Sequence, residues 1–141
     1  MEIEIYDFLP KAGREIRERV FVEEQGFQGE FDSADEQATH LLVLEAGKAV
    51  ATCRFFYKME LDGYLVGRIA VLKEYRGKGI GALMMRKTRE LLAEKGVKEV
   101  YLHAQKRAIG FYEKQGFVLL GTEDEEEGVP HLWMKMQWEK E

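Results

Sequence analysis

The chain has 141 residues and a formal net charge of −5, a size that suits one domain (1–141) with a self-sufficient core. With 45% hydrophobic and 33% charged residues, it is too apolar to remain disordered, and its acidic balance argues against a sequence-independent grip on nucleic acid. No run approaches the roughly 18 apolar residues of a membrane span, and the start MEIEIYDFLPKAGRE lacks the basic-then-apolar order of a signal peptide, so a cytoplasmic location without a membrane partner is expected. The single cysteine, Cys53, can form neither an internal disulfide nor a zinc-holding cluster, and VATCRFFY around it reads as a strand that buries the thiol. No metal is expected.

Ile3 and Ile5 alternate as in a short strand, and Ile16, Val20 and Phe21 then fall near helical spacing within residues 11–24. Residues 25–39 read as an acidic loop. Residues 41–44 and 49–57 form two apolar runs about Glu45-Ala46-Gly47-Lys48, the composition of a hairpin. A second turn at Asp62-Gly63 leads into a strand over 64–72. Ile80, Leu83, Met84, Leu91 and Leu92 line one face of a helix over 79–95, which Gly96 ends. A strand over 97–104 buries Val100, Leu102 and Ala104 on one side, and a short helix over 106–115 follows. Strands over 117–120 and 132–138 close the chain, with the acidic run Glu123 to Glu127 expected as a solvated loop between them and a contribution to a substrate mouth as the alternative. This order predicts an α+β domain with one sheet. The strands before and after the 79–95 helix run parallel, because a helical crossover joins parallel neighbours, and the hairpins make the other pairings mostly antiparallel.

The informative stretch is the strand and turn VGRIAVLKEY running into Arg76-Gly77-Lys78-Gly79-Ile80-Gly81 at the start of the helix. A helix start offers unpaired N–H groups and the positive end of the macrodipole, a ready site for phosphate. Gly77, Gly79 and Gly81 let an anion approach the backbone, while Arg76 and Lys78 add positive charge. The stretch does not fit the dinucleotide fingerprint or the P-loop, which ends in Gly-Lys-Ser/Thr.

Arg76 to Gly81 meets every defined position of Gln/Arg-x-x-Gly-x-Gly/Ala, the pyrophosphate signature of the GNAT N-acetyltransferase superfamily, which this sequence resembles. A second landmark, Phe111-Tyr112 followed by Gly116-Phe117, comes at the expected place. Phe21 to Gly26, Asp35 to His40 and Glu127 to His131 are similar to a subgroup of small bacterial members whose acceptors are mostly unassigned. The resemblance implies a central mixed, mostly antiparallel sheet of about seven strands flanked by helices, with a parallel pair splayed at the cofactor cleft. It implies acetyl-coenzyme A as acyl donor, gripped by the backbone of Ile69, Ala70 and Val71 along the pantetheine arm and by Arg76, Gly77, Lys78, Gly79, Ile80 and Gly81 at the pyrophosphate. Gln105 stands where many members carry Asn, and Phe111 and Tyr112 line the cleft.

Acetyl transfer to an amine needs a neutral nucleophile, a polarised thioester carbonyl and a proton for the departing thiolate. The resemblance assigns Tyr112 as general acid, with a role as cleft wall as the alternative, and a strand N–H near Ile69 to Val71 as oxyanion donor. The base is open among His103, Glu24, His40 and His131; His103, just before Gln105, is the candidate carried forward. Glu24, Arg68 and His131 are candidate acceptor contacts, Arg68 either paired with a nearby carboxylate or meeting an acceptor carboxylate. The implied partner is a small-molecule amine or peptide, and Glu23, Glu24, Asp32, Asp35 and the 123–127 run favour a cationic one. A non-catalytic acyl-coenzyme A sensor and a structural protein retaining only the fold are the competing readings, and the oligomeric state stays open between monomer and homodimer.

Overall fold

In the computed structural model, which describes residues 1–139 (for Thr122, the backbone only), seven strands build one sheet. They are β1 (Glu2–Tyr6), β2 (Thr39–Glu45), β3 (Lys48–Lys58), β4 (Gly63–Val71), β5 (Glu99–Gln105), β6 (Val118–Glu126) and β7 (Val129–Gln137), in the spatial order β1-β2-β3-β4-β5-β7-β6. Every neighbouring pair is antiparallel except β4 and β5, which run parallel. Helix α2 (Ile80–Glu94) makes the crossover between them, and α1 (Lys11–Arg17) and α3 (Ile109–Lys114) complete the helices.

Two apolar layers sandwich the sheet, because adjacent strand residues point to opposite faces. Leu41, Val43, Cys53 and Phe55 pack with Ile80, Met84, Leu92 and Tyr112 under α2 and α3. Leu42, Ala70 and Leu72 pack on the other face with Ile16, Val20 and Phe21. The helical segment over 11–24 is α1 continued by a wider π turn over Glu18–Glu24. Burial pushes the Cys53 thiol up to about 12, so it stays protonated and unreactive.

The acidic run is not a loop. β6 extends to Glu126 and pairs Glu123 with Leu132, Asp124 with His131, Glu125 with Pro130 and Glu126 with Val129. The reason is its place at the sheet edge, where water solvates charged side chains and discourages further strand pairing. The reversal takes only Glu127 and Gly128, at φ 50° and 80°, the left-handed pair of a tight hairpin turn.

Candidate active site

β4 and β5 pair only at Leu65–Tyr101 and Val66–Leu102. Beyond that point β4 stays on β3 through Thr52–Ala70 and Ala51–Val71, with one extra β4 residue between Gly67 and Ala70. The extra residue is a bulge centred on Arg68, whose φ is 50°. A bulge bends its strand, and here it turns the 67–71 edge of β4 away from β5, leaving main-chain groups unpaired along a slot through the sheet. Arg68 is held in this conformation by its own side chain, which donates from Nε to the Glu30 carbonyl at 3.1 Å and from Nη2 to Asp32 at 3.3 Å.

At the far end of β4, Gly77 and Gly79 adopt φ 78° and 79°, and a Cβ on either would meet nothing within 4 Å. The first bond of α2 runs from the Leu83 N–H to the Gly79 carbonyl, and no side chain caps the helix. The Ile80, Gly81 and Ala82 N–H groups are therefore free beside an open cradle, and these residues fit a pyrophosphate. Gly81 differs from these two: a Cβ there would lie 2.9 Å from Cζ of Phe111, the tip of a partly exposed ring. Arg76 donates from Nε to the Val71 carbonyl at 2.9 Å and from both Nη atoms to Glu24 at 2.7 Å each. Glu24 thus sits beside the glycine cradle, and the adjoining Arg76 holds its carboxyl below the usual range.

The slot opens into a cleft of about 820 Å³ that includes its solvent-filled mouth. Tyr112 and His103 reach it from opposite faces of the sheet. Tyr112 belongs to the layer under α3, is 8% exposed, and packs between the rings of Phe111 and Phe117. Burial pushes its phenol above the ordinary value of 10, so the hydroxyl keeps its proton. His103 alternates with the buried Leu102 and Ala104 and so points to the other side. It stacks on Trp133 with centroids 4.5 Å apart, and its Nε2 lies 2.6 Å from Asp124 Oδ1. Contact with His103 first, and with His131 nearby, holds the Asp124 carboxyl below its ordinary range despite slight burial. Gln105 donates from Nε2 to Gln25 Oε1 at 2.9 Å.

His131 is buried beside His103, with ring centroids 4.7 Å apart. Its Nδ1 lies 2.8 Å from the Val129 carbonyl, and its Nε2 3.3 Å from Glu126 Oε2. His40 does not reach the cleft. It is 1% exposed, donates from Nε2 to the Asp35 carbonyl at 2.9 Å, and burial lowers its pKa below the ordinary 6.5.

The acidic loop over 25–38 is anchored rather than free. Arg17 binds Glu30 and Asp35, Arg54 binds Asp32 and Asp35, and Arg68 binds Glu30 and Asp32. Three guanidinium groups face three carboxylates, so Arg68 is already neutralised and Asp32 and Asp35 are not available to an acceptor. Burial raises the Glu30 carboxyl despite its arginines, whereas for Asp32 and Asp35 the arginines outweigh burial and lower them. Glu127, the last residue of the acidic run, accepts the Gln28 and Gly29 N–H groups at 2.8 and 3.0 Å, clasping this loop to the β6–β7 turn. Within the 123–127 run, strand alternation picks out Asp124 and Glu126 as the carboxylates that face the two histidines. They are two apart and so share one side of β6, and the Glu127-Gly128 turn was the signal for it.

The Acetyltransferase (GNAT) domain family matches residues 10–138. The chain is 37% identical over 123 residues to the uncharacterized N-acetyltransferase YjcF of Bacillus subtilis, covering 84% of this chain and 86% of YjcF. The crystal structure of Escherichia coli ElaA superposes with a TM-score of 0.83 at 28% identity, over 97% of this chain and 100% of ElaA. An aminoglycoside 6'-N-acetyltransferase complexed with coenzyme A shares the fold, with a TM-score of 0.77 at 14% identity over 97% of each chain. The splayed parallel pair, the glycine cradle and these matches together make the chain a member of the GNAT family, an acetyl-coenzyme A dependent N-acetyltransferase.

Proposed function

We propose that the protein, as one domain over residues 1–141, transfers an acetyl group directly to a primary amine of a small-molecule or peptide acceptor. The observation that carries this reading is the pair of proton-handling groups, Tyr112 and His103, on opposite sides of the slot beside the unpaired β4 edge. Acetyl-coenzyme A supplies an activated thioester. The 69–71 edge of β4 pairs with the pantetheine arm, Gln105 contacts it from β5, and a β4 N–H stabilises charge developing on the carbonyl oxygen. Arg76 to Gly81 hold the pyrophosphate through free N–H groups. Phe111 lines the cofactor side.

His103 takes a proton from the acceptor ammonium, leaving an amine lone pair to attack. Asp124 orients the ring and balances its charge. As the new C–N bond forms and the C–S bond breaks, Tyr112 donates its proton to the sulfur and is reprotonated from the amide nitrogen, so one proton is released overall. His131 contacts the acceptor, while Arg68 and Glu24 hold the frame through their ion pairs.

Release of free thiol from acetyl-coenzyme A, measured across polyamines, amino acids, aminoglycosides and peptides, tests the reading. Amine-dependent release is the expected result. Binding of coenzyme A with no release for any amine would replace it by a sensing module.

A further inference from the structure

We infer that Glu126, His103 and His131 form a socket for the acceptor's primary ammonium group, and that Glu126 sets the preference for a cationic amine; this rests on the acyl-transfer reading above. His131 Nδ1 faces the Val129 carbonyl at 2.8 Å, and a carbonyl oxygen only accepts, so Nδ1 carries the hydrogen. In the neutral ring, Nε2 is then a lone pair, and it lies 3.3 Å from Glu126 Oε2. His103 has the mirrored arrangement. Its Nε2 donates to the Asp124 carboxylate at 2.6 Å, which leaves Nδ1 as the lone pair, 3.7 Å from the same Glu126 oxygen.

Three acceptor atoms from β5, β6 and β7 thus converge with no donor between them. Converging acceptors repel unless hydrogens are supplied. A primary ammonium carries three N–H donors on one compact centre, and a nitrogen about 2.8 Å from each acceptor matches charge-assisted hydrogen bonding. All three residues line the cleft that Tyr112 also reaches, so the socket is continuous with the slot, with the partly exposed Glu126 carboxylate at its mouth. Among the described residues, no group of three or more His, Cys, Asp and Glu is arranged to hold a metal ion.

The other acidic groups near the cleft are committed. Glu24 serves Arg76, Glu127 serves two loop N–H groups, and Glu30 serves Arg17 and Arg68. Glu126 is the carboxylate facing lone pairs instead of donors. One ammonium proton passes to His103 Nδ1, and the resulting imidazolium lies between the Asp124 and Glu126 carboxylates.

The chain has three histidines, so ring-nitrogen NMR of histidine-labelled protein saturated with coenzyme A resolves the question, with His40 as internal reference. Ethylammonium should move the His103 Nδ1 and His131 Nε2 signals and leave His40 in place. Tetramethylammonium, equal in charge but without N–H groups, should leave all three unmoved. Glu126→Gln should weaken the ethylammonium response about ten- to a hundredfold, while Glu125→Gln, exposed on the same strand, should not. Equal responses to both cations, no response to either, or an unaltered response in a folded Glu126→Gln protein would overturn the socket. A permanently protonated ring indifferent to amines would do the same. Coenzyme A binding and amine-dependent thiol release in the wild-type protein report on the acyl-transfer reading separately, so it can stand while the socket falls.

Discussion

The Glu24 carboxylate and the Arg76 guanidinium meet as a two-pronged pair, with both Arg76 Nη atoms 2.7 Å from Glu24 oxygens, while Arg76 Nε holds the Val71 carbonyl. Arg76 therefore ties the end of the π turn to the end of β4, directly before the glycine cradle. Both side chains are 39% exposed, so the pair contributes about 1 kcal/mol or less to stability, and its value lies in orientation. Glu24→Gln and Arg76→Met should each leave the melting temperature nearly unchanged and weaken coenzyme A binding about five- to fiftyfold, measured by calorimetry. Tighter binding in Glu24→Gln would mean that Arg76 acts through its unneutralised charge and not as a brace.

Gly79 and Gly81 should respond oppositely to alanine. At Gly79, φ 79° makes a side chain cost about 1–2 kcal/mol, and the Cβ projects into the open cradle, so Gly79→Ala should lose most of the thermal shift produced by coenzyme A. At Gly81 the Cβ meets the tip of the partly exposed Phe111 ring, which can swing aside, and improved helix propensity offsets up to about 1 kcal/mol. Gly81→Ala should keep both stability and cofactor shift. Loss of the shift in Gly81→Ala alone would assign the anion contact to residue 81.

Tyr112→Phe should lower turnover about ten- to a thousandfold with coenzyme A affinity little changed. Phenylalanine keeps the ring between Phe111 and Phe117 and removes only the hydroxyl. Because burial raises the phenol above its ordinary 10, wild-type turnover should show no loss from Tyr112 ionisation below that value. Turnover of the variant within about twofold of wild type, at saturating acceptor, would make Tyr112 a packing residue.

His40 should make the fold acid-sensitive well above the carboxylate range. Its folded pKa is lowered from 6.5 by burial, so the unfolded chain binds the proton more readily, and the stability present above 6.5 declines as pH falls through that region. Asp32 and Asp35, lowered from 3.8, add a second decline at still lower pH, whereas Glu30, raised from 4.5, works in the opposite direction. Melting temperatures should fall between about pH 7 and 5 in the wild type, and His40→Gln should flatten that segment from a lower starting point. An unchanged slope in the variant would assign the transition to other groups.

Local signals determined much of this protein from sequence alone. Apolar periodicity located α2 and the core side of β5, glycines and Asp-Gly marked the turns, and the crossover required β4 and β5 to be parallel, because each depends on neighbours within one turn or one strand. The Arg76 to Gly81 run marked the open glycine cradle at the start of α2 for the same reason, since a cradle is built from consecutive backbone groups. Tertiary structure decided what those signals could not reach. The acidic run reads as solvated by composition, yet pairing with β7 makes it a strand and turns Asp124 and Glu126 towards two histidines from other strands. Which carboxylates are spent on arginines depends on contacts such as Arg17–Glu30, Arg54–Asp35 and Glu24–Arg76. Charge alone could not foretell these pairings, since a carboxylate's role depends on which donor lies within about 3 Å, and only the folded chain brings residues dozens of positions apart to that distance.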